Sequence, residues 1–174
     1  MKIIPVPSFA FHLGFVITLL NVFGVSSQNS YTLKKTQEIQ IDGVWESSEW
    51  QQAVEVPFPF EITPNNNTPA KKETVGYITY DDLHLYIAVK AFDDPQNVRA
   101  SIRPRDDFKM LGDDTIFIAL DPFADARNNL LLGVNPVGSQ LDARAVNATT
   151  DDDRYDISFN VNFESAGQLN AEGY

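Results

Sequence analysis

Apolar and polar residues alternate with period two over much of the chain beyond residue 38. No stretch keeps a helical period for more than about two turns. The clearest case is a hairpin. Thr74 to Tyr80 and Leu83 to Phe92 read as two strands joined at Asp81-Asp82. In the second strand Leu85, Ile87, Val89 and Ala91 share one face and predict core. His84, Tyr86, Ala88, Lys90 and Phe92 share the other, a mixed face that is either wet or turned to a ligand. Asn129 to Val134 and Gln140 to Val146 predict a second hairpin, across the turn sequence Asn135-Pro136-Val137-Gly138. Thr115 to Leu120 is almost continuously apolar, which predicts a buried central strand. Glu38 to Ile41 reads as a short strand leading into an Asp42-Gly43 turn. Ser47 to Ala53 reads as a helical turn that buries Trp50. Val54 to Ile62 is extended, with Pro57 and Pro59 suiting a sheet edge, and Ile157 to Glu164 is another strand. Asn65 to Lys72, Asp93 to Asp114 and Asp151 to Asp153 read as loops. Six or seven strands joined by turns predict an all-β domain, an antiparallel β-sandwich of immunoglobulin-like or jelly-roll type.

The N-terminus breaks this pattern. Lys2 precedes a run from Phe9 to Val25 that is apolar but for His12, Thr18 and Asn21. Val25-Ser26-Ser27 then offers small residues for cleavage after Ser27. The run is short of the ~20 clean apolar residues a membrane span needs. Residues 1–27 are therefore expected to be a secretion signal, with a retained anchor as the alternative. Residues 28–38 form an extension and 39–174 the sandwich. Asn170 to Tyr174 looks like a turn opening into a further strand, so the domain is expected to lack its last strand or strands.

Composition narrows the chemistry. The chain has 13 basic and 24 acidic residues, net charge -11, and removal of Lys2 with the leader takes it to -12. Such a surface repels phosphate backbones and excludes nucleic acid as a natural partner; it suits divalent cations or neutral ligands. There is no cysteine, which excludes disulfides, thiolate metal sites, a cysteine nucleophile and a lipid-anchored start. Asn66-Asn67-Thr68 and Asn147-Ala148-Thr149 match the glycosylation sequon and read as loop composition.

Several segments, in order, resemble one family. Ile41-Asp42-Gly43-Val44-Trp45, with Trp50 and Ala53 following, resembles the opening of family 9-like carbohydrate-binding domains. Tyr80-Asp81-Asp82-Leu83-His84-Leu85-Tyr86 resembles that family's hairpin. Arg105-Asp106-Asp107, Gly112-Asp113-Asp114-Thr115 and Leu120-Asp121-Pro122-Phe123 are similar to its acidic centre, and Asn135-Pro136-Val137-Gly138 to its second hairpin. The combination is most similar to the N-terminal domain of large Bacteroidetes proteins whose C-terminal region is thought to be an outer-membrane barrel. The resemblance implies export to the periplasm or outer membrane, a glycan ligand, and a place in carbohydrate catabolism. It also implies a barrel as partner domain.

The candidate carbohydrate-binding residues are Trp45, His84, Tyr86, Arg103 and Arg105. A pyranose packs its apolar face on an aromatic ring, while charged side chains bond its hydroxyls. Packing in the core is the competing role for Trp45 and Tyr86, and Trp50 is expected in the core outright. Asp106, Asp107, Asp113 and Asp114 crowd four carboxylates into nine residues. Ca²⁺ would satisfy them with oxygen ligands alone, and the resemblance implies it because some members bind it. Pairing with Arg103 and Arg105, or a solvated loop, are the alternatives. A catalytic set is not evident. The mature part has His84 as its histidine, no Gly-x-Ser-x-Gly elbow, and no phosphate loop. Three functions follow: a non-catalytic glycan-binding module, a docking domain of a barrel protein without sugar binding, or part of a glycoside hydrolase.

Overall fold

The computed structural model describes residues 2–3, 30–62, 67–125, 127–145 and 155–174, with only the strand path given for residues 2–3. The rest of the expected leader, both sequon asparagines Asn66 and Asn147, and the acidic run Asp151–Asp153 lie outside them. The described residues form antiparallel sheets with almost no helix, packed as an all-β sandwich.

One sheet runs β11-β1-β6-β5-β2, where β1 is Lys2–Ile3, β2 Val54–Pro57, β5 Thr74–Tyr80, β6 Leu85–Ala91 and β11 Phe163–Glu164. The other runs β10-β9-β8-β7, with β7 Ile116–Leu120, β8 Asn129–Val134, β9 Gln140–Ala145 and β10 Tyr155–Asp156. Two short strands, β3 Phe60–Glu61 and β4 Thr68–Pro69, pair beside them. Both expected hairpins are present, β5–β6 with Thr74 opposite Ala91 and β8–β9 with Val134 opposite Gln140. Pro57 lies in the edge strand β2, where its missing N–H costs no ladder bond.

The core between the sheets centres on Ile87, Leu132 and Phe163, with Leu85, Ile118 and Val134 packed against them. Leu132 is fully buried, a side chain whose transfer from water contributes about 2 kcal/mol. The opposite face of the first sheet is also covered. Ile39, Trp50 and Tyr86 form a second apolar cluster there, joined by Trp45, Tyr77 and Ala88. Its cover is the largely irregular segment 30–53. Thr36 N–H donates to the Tyr80 carbonyl at 2.8 Å, and the Thr79 hydroxyl donates to the Lys34 carbonyl at 2.8 Å.

Four expected elements differ. Asn65 to Lys72, expected as a loop, carries β4 at Thr68–Pro69. Thr115 to Leu120 is not central: β7 is an edge strand, with Ile116, Ile118 and Leu120 turned inward and Phe117 outward. Phe117 is apolar because it shields Gly133 of β8; a Cβ on that glycine would meet the Phe117 ring at 2.9 Å. Glu38 to Ile41 forms no strand, although Ile39 is buried against Trp50 and Tyr86. Ile157 to Glu164 is broken, with a turn at Ile157-Ser158 between β10 and β11, where Asp156 accepts from the Ser158 N–H and hydroxyl.

Candidate functional site

The Asp42-Gly43 turn sets the site's first wall. Asp42 accepts the Val44 N–H at 2.8 Å, and Gly43 takes φ 83°, a left-handed conformation that favours glycine. The chain then presents Trp45, and the turn at 46–53 returns Trp50 beneath it, closed by Ala53 N–H to the Trp50 carbonyl at 3.0 Å. The indoles stack with centroids 5.6 Å apart and planes 12° from parallel. Tyr77 of β5 packs tilted on Trp45 at 4.5 Å. Trp50 is core, as expected, and Trp45 is half-buried.

Beside this pair lies a partly open pocket of about 180 Å³. Its back is β6 from Ile87 to Lys90, and Ile116 and Ile118 of β7 close one side. The segment 165–170 closes another. Gly167 seats that segment against the Asn135–Gly138 turn so closely that a Cβ would overlap the Pro136 carbonyl. Lys90 lies with its Nζ 4.8 Å from the Trp45 centroid and 5.7 Å from that of Phe92. Gln40 and Gln168 add amides at the rim. No aspartate or glutamate among the described residues lines the pocket.

The other sequence candidates lie elsewhere. Tyr86 is fully buried. Its hydroxyl donates to Asp81 at 2.6 Å, and His84 Nδ1 approaches the same carboxylate at 3.2 Å. Asp81 also accepts the N–H groups of Leu83 and His84. Burial pushes the Asp81 carboxyl up, but the hydrogen bonds from Tyr86 and these donors outweigh it and hold it well below the usual range. Burial and the Asp81 carboxylate together push the Tyr86 phenol far above its ordinary value. This network closes the hairpin turn, so the mixed face of β6 is not wet at Tyr86 as the alternation allowed.

Arg103 and Arg105 bind carboxylates. Arg103 donates from Nε to Asp113 Oδ2 at 3.1 Å, and Asn135 Nδ2 donates to the same oxygen at 2.9 Å. Hydrogen bonding from Arg103 outweighs burial and holds the Asp113 carboxyl below its usual range. Arg105 pairs through Nη2 with the buried Asp142, whose Oδ2 accepts the Val161 N–H at 2.5 Å. Asp106 accepts the Asp142 N–H, Asp107 caps the short 3₁₀ turn Phe108–Gly112, and Asp114 pairs with Arg99 at 2.8 Å. The four aspartates are thus held by arginines and backbone N–H groups, with Arg103 shared between Asp113 and, at 3.7 Å, Asp107. Among the described residues no three acidic or histidine side chains converge as a metal site needs, so they do not fit the expected Ca²⁺.

A second, polar cleft of about 390 Å³ lies at the far end of β6, between the ion pairs Lys72–Asp93 and Arg99–Asp114. Tyr174 lines it, its phenol pushed up to about 12 by burial and then by Asp114 and Asp93.

Lys90, Asp81, Asp142 and Asn135 were not singled out by sequence reasoning for these roles. Asn135 was legible only as a turn residue, yet its amide also bonds the Ser101 carbonyl at 2.7 Å and Asp113. Asp142 carried no signal: it alternates with Gln140 and Arg144 along β9, which reads as a polar face, yet it is buried. Comparison with protein-family models, with curated proteins and with solved structures finds no match for this chain.

Proposed function

We propose that this domain is a non-catalytic carbohydrate-binding module of an exported bacterial protein, recognising glycan through the pocket beside Trp45. The observation that carries this reading is the half-buried Trp45, braced by Trp50 and Tyr77, forming one wall of a pocket with amides at its rim. An aromatic wall supplies area for the apolar face of a sugar, and amides match its hydroxyls. At about 180 Å³ the pocket is below the roughly 300–1,000 Å³ of drug-sized sites, which suits one sugar ring or a chain end. Glycoside hydrolysis needs two carboxylates flanking the scissile bond, and a lining without carboxylates among the described residues supports binding over cleavage. Export is argued from the apolar run Phe9 to Val25 and the small residues that follow it. Calorimetric titration with an oligosaccharide panel tests the reading. Binding to one sugar class that is lost in Trp45→Ala is expected; no heat with any sugar from a folded protein would refute it.

A docking role is favoured by a different observation. The edge of β6 away from β5 pairs with β1 at Leu85–Tyr86 and exchanges two hydrogen bonds between Ala91 and Tyr174, 2.8 and 3.1 Å. Val89 points its N–H to the same side by period two, and the pocket lies along it. A strand could therefore seat there. Failure of every glycan, together with protection of the Val89 amide from hydrogen exchange by an extended peptide, would replace the first reading with this one.

A further inference from the structure

Resting on the carbohydrate reading, we propose that the sugar taken by the Trp45 pocket is acidic, carrying a carboxylate or sulfate that Lys90 recognises.

The charge distribution points that way. The chain carries 24 acidic against 13 basic residues, yet among the described residues the pocket lining holds no acid and does hold Lys90. In the polar cleft nearby, Lys72 and Arg99 are each paired with a carboxylate. Lys90 makes no ion pair among the described residues; its neighbours are the rings of Trp45 and Phe92. A ring face attracts the ammonium but accepts little of its hydrogen-bonding capacity, so donors remain for an incoming anion. Lys90 as a whole residue is half-buried.

The placement fits a sugar. Lys90 stands over the Trp45 ring, so an anionic group bonded to Nζ brings the pyranose attached to it alongside the indole. The side-chain amides of Gln40 and Gln168 make no hydrogen bond among the described residues and are available to ring hydroxyls. A neutral sugar can use the ring and the amides. Only an acidic one also supplies the counter-ion that Lys90 lacks, a charge-assisted bond that raises affinity roughly tenfold or more.

The test is calorimetric titration of the full chain with two pairs, a uronic-acid oligosaccharide against its methyl ester and a sulfated oligosaccharide against its unsulfated parent, each repeated with Lys90→Gln and Lys90→Arg. A roughly tenfold preference for the acidic member of at least one pair is expected. The ratio of acidic to neutral affinity should fall to about one in a folded Lys90→Gln and should survive in Lys90→Arg. The pair that shows it tells carboxylate from sulfate. Equal affinity within both pairs, or a preference untouched in a folded Lys90→Gln, would overturn the acidic-sugar proposal while leaving carbohydrate binding standing. No binding of any member, charged or neutral, would overturn both.

Discussion

Replacing Asp113 by alanine should be among the most damaging single changes in the domain. The residue is 8% exposed and accepts four hydrogen bonds: Arg103 Nε at 3.1 Å, Arg103 Nη2 at 3.3 Å, Asn135 Nδ2 at 2.9 Å and Ser101 N–H at 3.2 Å. Truncation leaves the guanidinium, a buried amide and a backbone N–H without that acceptor. Breaking one side of a buried ion pair costs about 3–5 kcal/mol. Arg103 keeps a fifth of its side-chain surface in water and a longer contact with Asp107 at 3.7 Å, so the low end, about 3 kcal/mol, is expected. That corresponds to a Tm fall of about 6–12 °C for a chain of this size. Asp113→Asn keeps the shape and one acceptor and should cost about 1–2 kcal/mol. The pH dependence has a definite sign. The folded-state carboxyl lies below the ordinary 3.8, so its stabilisation is present above that value and is lost as pH falls through the folded pKa. Urea unfolding followed by tryptophan fluorescence, at pH 7 and in steps down to about pH 3, should show the gap between wild type and Asp113→Ala narrowing below about pH 4. A cost under about 1 kcal/mol at pH 7, or a gap unchanged at pH 3, would refute the pairing argument.

Other outcomes follow from the same structure. Asp81→Ala should cost about 2–3 kcal/mol by chemical denaturation, because the fully buried Tyr86 hydroxyl loses its acceptor; Tyr86→Phe, which removes the donor as well, should cost only about 1 kcal/mol. Gly167→Ala should lower the Tm markedly, since its Cβ would overlap the Pro136 backbone, whereas Gly112→Ala, with nothing within 4 Å, should stay within about 0.5 kcal/mol of wild type. Asp142→Ala should destabilise by about 3 kcal/mol and speed amide exchange at Val161, whose N–H loses its acceptor.

Elements fixed by local chemistry could be read from the sequence. The β5–β6 and β8–β9 hairpins follow from alternation and from turn residues whose side chains bond their own backbone, Asp81 and Asn135. The burial of Trp50 followed from the turn that carries it. What escaped depends on contacts distant in sequence. The second face of β6 looked mixed because its cover, residues 30–53, has no regular structure of its own to announce itself. β7 looked central because Phe117, which shields a glycine on the next strand, reads like a core residue. The acidic loop looked like one site because its four carboxylates are close in sequence; Arg99, Arg103, a helical cap and β9 draw them apart. Lys90 was legible only as one member of a face either wet or turned to a ligand; the fold sets it over Trp45.

The irregular cover also bears on how tightly any ligand can be held. Trp45 belongs to a stretch tied to the sheet by few backbone hydrogen bonds, and such stretches open locally at lower free energy than paired strands. The pocket exists only while that stretch is docked. Measured affinity is then the intrinsic affinity scaled by the docked fraction, and a ligand that closes the stretch gives up part of its contact energy to hold it there. Changes far from the pocket that loosen the cover, such as loss of the Thr79 hydroxyl beneath it, would weaken binding without touching a contact residue.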